Sequence, residues 1–213
     1  MPTSSMEPDP DCPYCPRLRA FRHRWREAEP GWFNAPVPGF GPRGAKVLVV
    51  GLAPGLRGAN RTGRPFTGDY AGDLLFATLL KLGLARGSYD GHPEDGLALT
   101  GCRIVNAVRC VPPQNKPTGA EAAACRPFLV GELEAVPDGG AVLALGRVAH
   151  DAVLAALGER RAARPFAHGA LHRLDCGRLL ADSYHCSRYN TNTGRLTAAM
   201  FEEAVAGMLK AVG

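Results

Sequence analysis

Between Val47 and Asp69 the chain reads VLVVGLAPGLRGANRTGRPFTGD, a β-branched run that empties into a loop holding five glycines and two prolines. Continuous apolar runs mark strands buried on both faces, and open α/β sheets place ligands beyond the carboxyl ends of such strands. The loop is therefore expected to wall a pocket. At about twenty residues without periodicity it is also longer than an ordinary strand-to-helix link, and loops of that length usually serve function.

The rest of the chain repeats the strand-then-helix order. Arg17 to Glu29 reads as a charged helix, Gly31 to Arg43 as an extended Gly/Pro loop, and Lys46 to Val50 as the first strand. Asp69 or Gly72 opens a helix to Leu84, with Leu74, Leu75, Leu79 and Leu82 at helical spacing. Leu97 to Val108 reads as a second strand, followed by a loop from Arg109 to Thr118 and a helix capped by Thr118 that carries Cys125. Ala141 to Leu145 is a third strand, Gly146 to Leu157 a helix, Leu179 to Tyr184 a fourth strand, and Gly194 to Val212 a closing helix; Arg160 to Leu174 is weakly patterned. This order predicts an α/β fold: a three-layer α/β/α sandwich around a central, mostly parallel four-stranded sheet. Residues 1–11 are expected to be disordered and residues 12–213 to form one domain.

Hydrophobic residues make 46% of the 213 and charged residues 21%, and no apolar run nears the roughly 20 residues that span a bilayer. The polar, acidic start MPTSSMEPDPDC has no apolar core, so a soluble, cytoplasmic protein is expected, with a monomer as the default. The net charge of +5 permits a polyanionic partner without requiring one. Seven cysteines in such a chain argue for ligation over a disulfide framework. Cys12 and Cys15 form a C-x2-C pair, Cys110 and Cys125 flank the loop rich in Pro, Lys and Asn, and Cys102, Cys176 and Cys186 stand alone. Spacing alone admits zinc or an iron–sulfur cluster on the first four.

Three strand-exit loops converge on one sheet edge, and between them they offer a carboxylate (Asp69), an amide (Asn106), an imidazole (His185) and an aromatic plate (Phe66). Gly51 and Gly55 let the backbone come close. That equipment suits a flat, hydrogen-bonding heterocycle. Each residue has a plainer reading: Asp69 as a helix N-cap, Asn106 as a turn former, His185 as a core histidine, Phe66 as packing. Arg61 and Arg64, together with Ser187, Arg188, Tyr189, Asn190 and Arg195 in the last exit loop, suit phosphate contacts and a wedge into a base stack. No G-x4-G-K-[ST] pattern is present, which disfavours nucleoside-triphosphate chemistry.

GLAPG-x2-G-x-NRTGRPFTGD, NAVRC-x-PPxNKP and H-x-S-R-x-N-T-N-T-G-R-L-T, in this order with the four cysteines, resemble the iron–sulfur uracil-DNA glycosylases, specifically family 5, over residues 12 to about 209. The resemblance implies excision of uracil, and of other deaminated bases such as hypoxanthine or xanthine, from double-stranded DNA. Family 4 has an acidic residue where this chain has Leu52, and family 1 also has a polar catalytic residue in this motif, so the resemblance moves the carboxylate role to Asp69. It implies Gly51, Leu52, Ala53, Phe66, Asn106 and His185 as the base-binding set, with Asp69, His185 and Asn106 as catalytic residues. It further implies a [4Fe-4S] cluster on Cys12, Cys15, Cys110 and Cys125. A related branch that traps uracil-DNA covalently inserts a loop with a nucleophilic His after the first motif; residues 51–69 contain none.

Overall fold

Val47, Leu48, Val49 and Val50 are all buried, and their side chains alternate between two separate cores. This is the signature of a strand sandwiched between helical layers. The computed structural model describes residues 7–213. Its elements are α1 (Pro16–Ala28), β1 (Val47–Gly51), α2 (Ala59–Thr62), α3 (Tyr70–Lys81), β2 (Ala85–Arg86), β3 (Ala98–Leu99), β4 (Cys102–Asn106), α4 (Gly119–Glu134), β5 (Ala141–Leu145), α5 (Arg147–Leu157), β6 (Leu171–Arg173), β7 (Leu179–Ser183), α6 (Arg188–Asn192) and α7 (Ala198–Val212).

The main sheet has the order β4-β1-β5-β7-β6. Its first four strands are parallel, with Val49 opposite both Ile104 and Leu143, and Leu143 opposite Ala181. One core gathers Val49, Ile104 and Leu143 with Leu75 and Phe76 of α3 and Phe201 and Val205 of α7. The other gathers Leu48, Val50 and Val142 with Leu129 and Leu133 of α4 and Val153 and Leu154 of α5. The layers are those expected.

The sheet has five strands where the sequence pattern predicts four. The fifth, β6, runs antiparallel to β7 at the edge, and its three residues are exposed or only partly covered, so it shows no apolar alternation. The expected strand from Leu97 to Val108 is also broken. Ala98–Leu99 pairs with β2 in a separate two-stranded sheet, and the parallel strand begins at Cys102 after a bend at Thr100 and Gly101. At the other edge Phe40 exchanges both backbone hydrogen bonds with Ile104, so the Gly/Pro loop covers β4.

Disorder expected for residues 1–11 does not describe residues 7–11. Glu7 bonds to Arg103 at 2.7 Å and to Arg109 at 3.2 Å, tying this segment to the sheet edge. Residues 1–6 lie outside the described residues. Among the described residues no helix is long and apolar enough to cross a membrane.

Candidate active site

The carboxyl ends of β1, β4 and β7 open into one cavity of about 580 Å³, within the usual range for a small-molecule pocket. Leu52 to Ala59 form one wall; Phe66, Asp69, Asn106 and His185 all reach it, and Ser187 and Arg188 of the last exit loop stand at its margin. The expected convergence of three loops is therefore present. Gly51 is required where it is: a Cβ there would lie 2.5 Å from Asn106 Oδ1 and 2.6 Å from Phe66 Cζ. Phe66 holds φ at +56°, a conformation that bulky residues avoid and that tends to mark functional positions. Its ring stacks at 29° against the His185 imidazole, centroids 6.0 Å apart.

Asp69 occupies the N-cap position of α3, yet its side chain makes no capping hydrogen bond. Oδ1 is shut off from solvent with no partner. Burial raises the carboxyl above its ordinary value, with the nearby amides of Gly72 and Ala71 pulling the other way. Asn106, 3% exposed, likewise has a buried Oδ1 with nothing to accept from. Buried polar atoms are normally paired, so two orphaned oxygens beside one cavity are groups awaiting a partner. His185 is lowered to about 4 by burial, which keeps its ring neutral at physiological pH. Asn190 holds it in place by donating from Nδ2 to the His185 carbonyl at 2.8 Å.

Arg64 does not face the outside. It is buried, bonds to both carboxylate oxygens of Asp95 at 2.8 and 2.6 Å, and lies over the rings of Phe40, Phe76 and Tyr89. It cannot serve as a phosphate contact. Arg61, Arg188, Tyr189 and Arg195 are exposed, with Tyr189 at 72%. Arg188 lies over Tyr70 and Arg195 over Tyr184. The Ser187 hydroxyl caps α6 through Asn190 N. Three polar or aromatic side chains not anticipated also line the cavity: Arg57, Tyr70 and Asn115. Tyr70 follows Asp69 directly, and Asn115 sits in the N-K-P turn at φ +56°; Arg57 carries no sequence signal that would have singled it out.

Cys12 and Cys15 meet Cys110 and Cys125, about a hundred residues further along the chain, around a second, small cavity. All are free thiols. Burial pushes Cys110 up to about 11 and Cys125 up to about 12, with neighbouring cysteines adding to the rise. Two N–H groups nevertheless point at sulfur: Arg22 Nη1 at Cys110 Sγ, 3.1 Å, and Arg109 N at Cys125 Sγ, 3.3 Å. Donors aimed at sulfur serve thiolates, so the set fits a four-thiolate centre. A second group of ligand types, His150, His172 and Asp182, gathers within 4.8 Å. There both His150 nitrogens face acceptors, Asp182 Oδ1 at 2.7 Å and the Arg164 carbonyl at 2.9 Å, leaving neither free for a metal.

Fold and cavity together define an α/β protein with a preformed pocket, walled largely by apolar residues and holding a few convergent polar groups beside Phe66, at the carboxyl edge of a parallel sheet. A family model described as the uracil DNA glycosylase superfamily matches residues 38–208. A type-5 uracil-DNA glycosylase of Thermus thermophilus is 48% identical over 200 residues, 91% of this chain and 90% of that protein. One from Pyrobaculum aerophilum is 44% identical, covering 92% and 86%. A type-4 enzyme from the same archaeon is 33% identical over 70% of this chain and 63% of its own. The chain belongs to the uracil DNA glycosylase superfamily, within its type-5 group.

Proposed function

We propose that this protein is a DNA repair enzyme that flips uracil out of double-stranded DNA and hydrolyses its N-glycosidic bond, leaving an abasic site for base excision repair. Its range extends to other deaminated bases such as hypoxanthine and xanthine. The observation that supports this best is the meeting of Asp69, Asn106, His185 and Phe66 at one cavity, two of them with buried oxygens unpaired.

Breaking this bond builds positive charge on the sugar and negative charge on the departing base, and a site must answer both. The Asp69 carboxylate, whose Oδ1 is buried without a partner, faces the sugar, where it holds a water and stabilises the cationic centre. Neutral His185 donates a hydrogen bond to a carbonyl oxygen of the base as charge accumulates there. Asn106 reads the edge of the extruded base through its amide, Phe66 stacks on its face, and Gly51, Leu52 and Ala53 supply the remaining wall. Leu52 and Ala53 put no polar group at the start of the loop, which leaves room for larger bases. Arg61, Arg188, Asn190 and Arg195 grip phosphates around the mouth, Ser187 fixes their helix, and Tyr189 wedges into the base stack.

Cys12, Cys15, Cys110 and Cys125 would hold a [4Fe-4S] cluster. When bound, it supplies four metal–thiolate bonds that pin the N-terminal arm to β4's exit loop and to α4. The protein acts in the cytoplasm on chromosomal DNA.

The test is base release from labelled duplexes containing one U·G or hypoxanthine·T pair, read after alkaline cleavage, for wild type and Asp69→Ala. Release by wild type with a loss of ~10²-fold or more in the variant supports the reading. Wild-type protein that binds the duplex without releasing base makes it a binding module instead.

A further inference from the structure

Among the described residues four arginines are buried: Arg22, Arg64, Arg103 and Arg109. Three have carboxylate partners. Arg64 pairs with Asp95, while Arg103 and Arg109 share Glu132 and Glu7. Arg22, on α1 and 1% exposed, pairs with no carboxylate among the described residues. Its Nη1 donates to Cys110 Sγ at 3.1 Å, its Nη2 to the Cys12 carbonyl at 3.3 Å, and its Nε is buried without a partner. Asp11, close enough to feel its charge, is exposed and already bonded to Arg26.

A guanidinium stays protonated in proteins, and an unpaired buried charge is strongly unfavourable. The missing negative charge must therefore come from what the guanidinium touches. Neutral thiols do not supply it. Four thiolates around an iron–sulfide core do, because the assembly as a whole is anionic.

We propose that Arg22 is the resident counter-cation of the four-cysteine centre: it balances the net negative charge of the bound cluster and acts most directly on the Cys110 thiolate. This rests on the iron–sulfur reading of that centre. Arg22 is a positioning and charge-balancing residue, not a catalytic one. Net charge and hydrogen bonds to sulfur set the potential of such clusters, so removing this cation favours the oxidised form and lowers the potential.

The test compares purified holoprotein as wild type, Arg22→Met, which keeps most of the volume without charge, and Arg22→Lys, which keeps the charge. Iron and acid-labile sulfide are counted, cluster loss to a chelator is followed by visible absorbance, and the potential is measured by spectroelectrochemistry. Expected are cluster loss about 10-fold or more faster and a more negative potential in Arg22→Met, with Arg22→Lys close to wild type. Arg22→Met indistinguishable from wild type overturns the proposal, as does equal failure of both variants, which would mark packing over charge. If Arg22→Met does not fold, Arg22→Lys decides: retention of the cluster and its potential supports the role, loss refutes it. Wild-type protein without iron and sulfide removes the iron–sulfur reading itself, a result separate from any of these.

Discussion

A Cβ on Gly58 would lie 2.5 Å from Oδ2 of Asp69 and 2.9 Å from its Cβ, so the carboxylate occupies the space that a side chain at position 58 would take. Gly58→Ala must therefore displace the carboxylate. Misplacing a reacting group by about 1 Å costs on the order of 10²-fold. The variant is expected to lose base release on that scale with its cysteine centre intact. Activity within a few-fold of wild type would show that Asp69 does not need its present position.

Asp69→Asn should separate stability from activity. Burial raises the folded-state pKa of Asp69 above the ordinary 3.8, so the fold favours the protonated form. The stabilisation is complete below the unfolded value and is lost as pH rises through the folded one. At neutral pH the ionised group therefore strains the fold, and Asn, uncharged, should melt higher than wild type, the difference vanishing toward acid pH. Base release should fall by ~10²-fold or more. Melting curves at neutral and acid pH check the first half; a variant less stable at neutral pH would refute it.

His185 carries the opposite sign. Its folded value is depressed from 6.5 to about 4, so the unfolded chain takes up a proton that the fold excludes. Its contribution to stability is present above 6.5 and is lost as pH falls toward about 4. His185→Gln should flatten the pH dependence of melting across that window. In the enzyme, kcat/KM should show no inflection near 6.5 from this ring; one that disappears in His185→Gln would mean that the imidazole titrates normally.

Glu132 stands between two buried guanidinium groups, Arg103 at 2.6 Å and Arg109 at 2.8 Å. Removing the shared, fully buried anion leaves both with the partly exposed Glu7 as their one carboxylate partner among the described residues. Glu132→Leu is expected to cost about 3–5 kcal/mol in urea unfolding of the holoprotein. A loss under about 1 kcal/mol would assign the charge balance to Glu7 alone.

What could be read from the residues was local. The apolar runs of β1 and β5, the Thr118 cap, and the polar residues at three strand ends all carry their meaning within a few positions of sequence. β6 could not be read in this way, since an exposed edge strand has no buried face to leave a pattern. Nor could the partners of arginine. Arg61 and Arg64 look alike in NRTGR, yet one is exposed and the other is buried on Asp95, thirty-one residues away.

The sequence by itself determined the order of the four parallel strands and of the long helices between them, because backbone preference and apolar period are properties of short segments. It also determined the chemical kit at the strand ends and the four-cysteine set. Only the tertiary structure decided which polar atoms remain unpaired. Asp69 could have capped α3, but the fold leaves its Oδ1 buried and free. Arg22 lies in a segment that reads only as a charged helix, but packing buries it beside Cys12 and Cys110. Burial and partnership depend on what long-range packing brings alongside, and no single segment contains that information.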